Sequence, residues 1–264
     1  AKFSLSLFLF TFCSQLLLAE DLFWTGAVDG NWGDLGNWVN ADGVAGQEVP
    51  QTGDTATFDL PTAQSPTSIE DGVDIRISSK PDAAEPTIIE LPESIINDLI
   101  LEPGAQNLSL TFAGPITITG DVTVTGASGT VTTIQLNGNA LECAEGTIRL
   151  TIPDNAQDSI IIFGGESAAA IKSSKLELIT SSGTDGSRID IVGPSLEVTG
   201  NLDVSTDTGN VTIEPQGLIV SGDLTVSSIG DGIASLLMSA NNLDVDGSLK
   251  ITKTGGDLDA VESW

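Results

Sequence analysis

A ten-residue phrase recurs along the chain and limits what it can fold into. It reads Ile116-Thr117-Ile118-Thr119-Gly120-Asp121-Val122-Thr123-Val124-Thr125. It returns from Leu196 to Ser205, from Leu218 to Ser227 and from Leu243 to Thr252. The shared pattern is aliphatic, any, aliphatic, polar, glycine, small polar, aliphatic, any, aliphatic, polar. Alternation of period two belongs to a strand with one buried face. Gly120, Gly200, Gly222 and Gly247 interrupt it, followed by Asp121, Asn201, Asp223 and Ser248. Glycine takes positive φ at no steric cost and Asp or Asn tolerate it, so each pair predicts a sharp bend.

The spacing turns the phrase into a fold. Gly200 and Gly222 are 22 residues apart, and Gly222 and Gly247 are 25 apart. Gly120 and Gly200 are 80 apart, four periods of about 20, in the range of repeat architectures. Weaker copies fill that gap. Ile134, Leu136, Gly138, Leu141 and Cys143 follow the pattern with one inserted residue, and Ile148, Leu150 and Ile152 alternate. So do Ile160 and Ile162, Leu176 and Leu178, and Ile189 and Ile191. A two-residue bend also suits an antiparallel hairpin. Equally aliphatic arms, and the return of the phrase one period later, favour a bend between successive faces of one coil. Stacked coils bury a continuous interior that no single copy could bury alone.

The expected fold is therefore all-β: a single-stranded right-handed parallel β-helix, or β-solenoid. About eight or more coils of ~20 residues are expected from Ile96 onward. At ~4.8 Å per coil the regular part would be about 40 Å long. Leu196, Val198, Leu202, Val204, Leu218, Val220, Leu224, Val226, Leu243, Val245, Leu249 and Ile251 should face inward. Glu197, Thr225 and Asp244 should face outward. The best helix candidate, for two turns at most, is Ser167 to Leu178 with its three alanines.

Residues 1–19 read as a secretory signal peptide. Lys2 is the only charge before Glu20, the run from Phe3 to Leu18 is almost wholly apolar, and Ala19 is a small exit residue. Cleavage is expected after Ala19. The run falls short of the ~20 residues of a spanning helix, so no membrane insertion is expected after cleavage. The whole chain carries 37 acidic and 9 basic residues, a formal net charge of −28. Such a surface repels polyanions, which excludes nucleic acid and anionic lipid as partners. Cys13 leaves with the leader. Cys143 remains as a single thiol in an inward slot, a core residue rather than a nucleophile.

Little in the residues points to chemistry. The chain has no histidine, which removes His-based triads and zinc sites. Arg76, Arg149 and Arg188 each stand alone. No catalytic residue, enzyme activity or cofactor is expected. Asp244 with Asp246, and Asp257 with Asp259, are weak metal candidates, as is Asp185 in its Gly-Thr-Asp-Gly turn. In a strand, positions i and i+2 share a face, so each pair offers two carboxylates where calcium takes six to eight oxygens. A solvated acidic face without a dedicated metal site is the expectation.

Residues 20–60 differ from the rest. They hold Trp24, Trp32 and Trp38, with Phe23 and Phe58. The stretch reads Trp24-Thr25-Gly26, then Asn31-Trp32, then Asn37-Trp38, and after Pro50 comes Gly53-Asp54-Thr55-Ala56-Thr57-Phe58. This resembles the opening segment of exported bacterial β-solenoid surface proteins, autotransporter passenger-like proteins among them. The resemblance implies a Trp-rich cap and first coil over 20–60 and a solenoid over 61–264; because the rhythm runs unbroken to Glu262-Ser263-Trp264, the solenoid is expected to continue past Trp264. It implies a secreted, extracellular or bacterial cell-surface protein, structural or adhesive, acting as stalk or passenger. Partners would be cell-surface glycans or other surface proteins, and the chain a monomer or part of a longer one. The alternative is a carbohydrate-binding or polysaccharide-active β-helix protein with its catalytic part outside this segment. The tryptophans discriminate: buried indoles would plug an open coil end, whereas exposed ones would stack on sugar rings.

Overall fold

The computed structural model describes residues 20–46, 48–59, 64–79, 84–165, 169–181, 186–193, 195–230, 234–236 and 243–254. The leader 1–19, Asp185, Asp257, Asp259 and Trp264 lie outside the described residues. The chain is a parallel β-solenoid with three strands per turn. Face I stacks Thr55–Phe58, Asp74–Ser78, Leu99–Glu102, Val122–Thr125, Leu202–Thr206, Leu224–Ser228 and Leu249–Lys253. Face II stacks Ser94–Ile96, Ile116–Ile118, Ser195–Val198, Gly217–Val220 and Leu243–Val245. Two long strands, Ala140–Ile152 and Ala170–Thr180, run through both faces without a break. Face III is a seven-stranded sheet: Thr87–Leu91, Leu108–Phe112, Val131–Gln135, Ile160–Gly164, Arg188–Val192, Asn210–Glu214 and Ala234–Leu236.

In-register pairing builds aliphatic columns through the interior. On face II, Ile116, Leu141, Ile171, Leu196 and Leu218 stack in turn. On face I the column is Ile75, Leu99, Val122, Ile148, Leu176, Leu202 and Leu224. On face III it is Leu110, Ile134, Phe163, Ile191 and Ile213. All are buried. Each fully buried side chain of this kind contributes about 1.5–3 kcal/mol, and the columns form one core.

The expected register holds. Leu196, Val198, Leu202, Val204, Leu218, Val220 and Leu224 are buried, while Glu197 and Asp244 are exposed and Thr225 half-buried. Val226 and Val245 pack against the core from partly buried positions. Leu243, Leu249 and Ile251 are in register but 45–55% exposed, because they form the last described rung.

Three expectations are corrected. The period is longer than ~20: Val131 pairs with Ile160 and Ile160 with Arg188, 29 and 28 residues on. The corners after face I take up the extra length, so the seven strands of face III span six turns rather than eight or more. Gly138 is not the counterpart of Gly120. Leu136 ends face III and Leu141 opens face II, with Asn137 and Gly138 at positive φ between them. The true counterpart is Gly146, between Cys143 and Ile148. Of the helix candidate, Ser167 and Ala168 lie outside the described residues, and from Ala170 it is the strand Ala170–Thr180. Ile171, Ser173, Leu176 and Leu178 point inward there, and inter-rung pairing on both sides overrides the local propensity of the alanines.

Candidate functional site: the aromatic cap and the corner ladder

The cap begins with the strand Asp21–Trp24, parallel to Thr55–Phe58 and antiparallel to Trp38–Asn40. Trp24, Trp32, Trp38 and Phe58 converge and are buried, none more than 4% exposed. Trp38 packs edge-on against Trp24 and Trp32, with ring centroids 4.8 and 4.6 Å away. That is the geometry in which a ring's positive edge meets a negative face. Each indole N–H has a backbone acceptor: Gln64 O for Trp24 at 2.6 Å, Pro50 O for Trp32 at 3.3 Å, and Trp32 O for Trp38 at 2.8 Å. The indoles therefore belong to the coil end, and none offers a face for a sugar ring.

The opening motif acquires a reason at each residue. Gly26 sits at φ +53°, where a Cβ would lie 2.6 Å from Gln64 N. Asn37 is fully buried and joins the loop to itself. Its Oδ1 accepts from Val28 N and Asp29 N, and its Nδ2 donates to Asp29 Oδ1 and Asn31 O. The outer edge of Trp38–Asn40 is closed by a turn in which Gly46 N donates to Trp38 O and Asn40 N to Val44 O. That turn pairs with the outer edge of Trp38–Asn40, a position where an unpaired edge invites aggregation.

The corner from face II to face I carries the repeat's glycines, and their role differs from the expected one. Gly120, Gly146, Gly200, Gly222 and Gly247 do not adopt positive φ. A Cβ on any of them would strike backbone or side chain of the rung below: Gly120 carbonyl for Gly146, Ser174 carbonyl for Gly200, Gly200 carbonyl for Gly222 and Gly222 carbonyl for Gly247. The corner needs glycine because successive backbones pass too closely for a side chain. The residue after the glycine then links rungs. Asp98 Oδ1 accepts from Asp121 N at 2.7 Å, and Asp121 Oδ1 from Thr147 N at 2.7 Å. Asn201 Oδ1 accepts from Asp223 N at 2.9 Å, and Asp223 Oδ1 from Ser248 N at 2.8 Å. Asp74 starts the ladder by accepting from Asn97 Nδ2 and Asp98 N. Asp121, Asn201 and Asp223, expected only as bend formers, thus each satisfy a backbone donor of the next turn. Asp74 and Asp98 belong to the same ladder, and their place before an aliphatic strand was the signal for it.

The ladder is interrupted where Ser174 and Lys175 occupy the corner. Charges take over on the outward face there. Glu177 accepts from Arg149 Nε and Lys175 Nζ, each at 2.5 Å, and Lys175 Nζ also lies 3.3 Å from Asp203 Oδ2. The Lys175 hydrogen bond, then that of Arg149, holds the Glu177 carboxyl below its ordinary value against the opposing effect of burial, and Glu177 holds the Lys175 ammonium above its own. The Glu177 contribution is present above the unfolded carboxyl pKa and lost as pH falls through the lowered one. The Lys175 contribution is lost as pH rises through its raised value. Glu177→Gln should lower stability by about 0.2–1 kcal/mol between these limits, the size of exposed pairs, and the difference should vanish in acid and shrink in high salt. Thermal unfolding across pH measures it.

Cys143 is buried, and its Sγ donates to Gly120 O at 3.3 Å. Burial first, and then the Asp121 charge, push its thiol up to about 11. A thiolate is the reactive form, so native Cys143 should resist alkylation at pH 8 and react fully in denaturant. Labelling of the folded protein at the rate of a free thiol would contradict this placement. Asp244 and Asp246 are exposed on the last described rung, the first outward on face II and the second at its corner. Among the described residues no three His, Cys, Asp or Glu side chains group as a metal ion needs. Calcium titrated against chelator at fixed ionic strength should give no saturable rise in Tm, and one abolished by Asp244→Asn/Asp246→Asn would make that pair a metal site.

Comparison with protein-family models, with curated proteins and with solved structures finds no match to this chain.

Proposed function

We propose that this chain is an exported structural or adhesive β-solenoid, a stalk or passenger displayed outside the cell. The observation that carries the reading is mechanical. The rungs are tied to one another by in-register parallel pairing along three faces, by two stretches of the corner ladder and by continuous aliphatic columns, and the aromatic cap covers one end. Such a stack resists bending and displays outward positions at a fixed ~4.8 Å spacing. On face I these include Thr123, Thr125, Thr151, Ser205, Thr225 and Ser227, short polar side chains suited to solvent and to multipoint contact. Its strong acidity suits a molecule that stays soluble at high local density.

The test is display and attachment. The chain, expressed with its own first 19 residues, should appear outside the cell as a protease-accessible product lacking them. Cells bearing it should gain adhesion to a surface-glycan or surface-protein coat. Retention inside the cell would overturn the export reading. Hydrolysis of a polysaccharide by the purified chain would overturn the structural one.

A further inference from the structure

Removal of the leader would place a charge at a point where the cap lacks one. Glu20 directly precedes the first strand, and its carbonyl accepts from Thr55 N at 2.9 Å. Its backbone nitrogen lies 3.1 Å from Asp54 Oδ1 and donates to it. Asp54 Oδ2 is held in turn by Gln51 N at 2.9 Å. A hydrogen bond to the Glu20 carboxyl, then burial and the charges of Glu20 and Asp54, hold the Glu48 carboxyl above its usual range. The Asp54 carboxylate thus lies at the Glu20 backbone nitrogen, and the Glu48 carboxyl lies beside that of Glu20. The ion pairs among the described residues use Arg149, Lys172, Lys175 and Arg188, and none reaches these three. Neighbouring like charges raise the cost of ionising Glu48, and a cation beside them lowers it.

Hydrolysis of the Ala19–Glu20 peptide bond supplies that cation. Water adds across the amide, the Ala19 carboxylate departs with the leader, and the Glu20 amine takes up a proton. We infer that the Glu20 α-ammonium made by leader removal is a structural cation of the cap, bound by Asp54 and flanked by Glu48. The inference rests on the reading of residues 1–19 as a cleaved leader. Before cleavage the nitrogen is a neutral amide with one proton. Afterwards it carries a full charge and three donors, already within hydrogen-bond reach of Asp54, and charge-assisted hydrogen bonds are roughly twice as strong as neutral ones. Cleavage thus completes the electrostatics of the element that closes the solenoid. The captured ammonium gains a partner, so its pKa rises above the ordinary ~7.7–8.0. Its contribution is fully present below that value and lost as pH rises through the raised one.

The experiment has two arms. In the first, the exported protein's N-terminus is read by mass spectrometry, and Glu20 is the expected first residue. In the second, the chain beginning at Glu20 is compared with its Nα-acetylated form, each with Asp54 intact, with Asp54→Asn and with Glu48→Gln. The α-amino pKa should lie above ~7.7–8.0 with Asp54 intact and fall in both variants. Acetylation should lower Tm when Asp54 is intact and much less in Asp54→Asn. Glu48→Gln keeps the Asp54 contacts and so serves should Asp54→Asn not fold. An exported protein that begins elsewhere overturns the placement of the cation while leaving export standing. An α-amino group at its ordinary value, or an acetylation effect that ignores Asp54, overturns the ion pair while leaving the leader reading intact.

Discussion

Replacing Trp38 with alanine is expected to lower stability by about 3–5 kcal/mol, the range for deleting a buried aromatic side chain. The indole is fully buried, meets Trp24 and Trp32 edge-on, approaches Phe58 at 6.4 Å, and donates its N–H to Trp32 O. Its removal opens a cavity at the centre of the cap. The effect should extend beyond the midpoint of denaturation. A solenoid relies on a closed terminal unit for solubility, so the variant should also aggregate more readily, from the cap end. Denaturant unfolding with light scattering measures both. An unchanged midpoint combined with lost binding on a glycan array would favour the sugar-stacking reading of the tryptophans.

The second large effect lies at the glycine corner. In Gly146→Ala the new methyl would overlap the Gly120 carbonyl oxygen, 2.7 Å from the carbonyl carbon and 2.9 Å from Cys143 Sγ. The obstacle is backbone locked in the ladder, so no rotamer change relieves it, and the cost should reach the upper part of the ~1–3 kcal/mol seen for overpacking. Gly217→Ala is the matched control. Gly217 is not at positive φ, and a Cβ there meets nothing within 4 Å. That substitution should be neutral or stabilising by about 0.4–1 kcal/mol through the unfolded chain. If the two variants unfolded at the same denaturant concentration, close passage of the rungs would not explain the repeat's glycines.

Much of the architecture could be read before any coordinates. The alternation Leu196-Glu197-Val198 and its full copies put their core positions on the correct side, because period two leaves only two registers and one buries carboxylates, whereas the weaker Ile160 and Ile162 copy is off by one, since Ile161 and Phe163 are the residues that face inward. The tryptophan cluster was legible as an end plug for a similar reason: three large rings ahead of the first regular coil need a place to be buried. The Ser167–Leu178 stretch was misread because its alanines favour helix locally, whereas neighbouring rungs supply strand partners on both sides. Gly138 was misassigned because two corners of the coil carry glycine, one for positive φ and one for close passage, and a string of letters does not separate them.

By itself, the sequence determined the period-two faces, the repeat, the absence of histidine chemistry and the acidic surface, since each is a property of residue type and short-range order. Tertiary structure decided what depends on neighbours a full turn away. It settled the length of each coil, the glycines that must be bare because a carbonyl lies beneath them, and the carboxylates that reach the backbone of the next rung. It also brought the Asp54 carboxylate to the backbone nitrogen of Glu20, 34 residues away. Contacts between residues so far apart in the chain arise only when coils stack, and the strand pattern of any one coil does not encode which atoms of the next will lie against it.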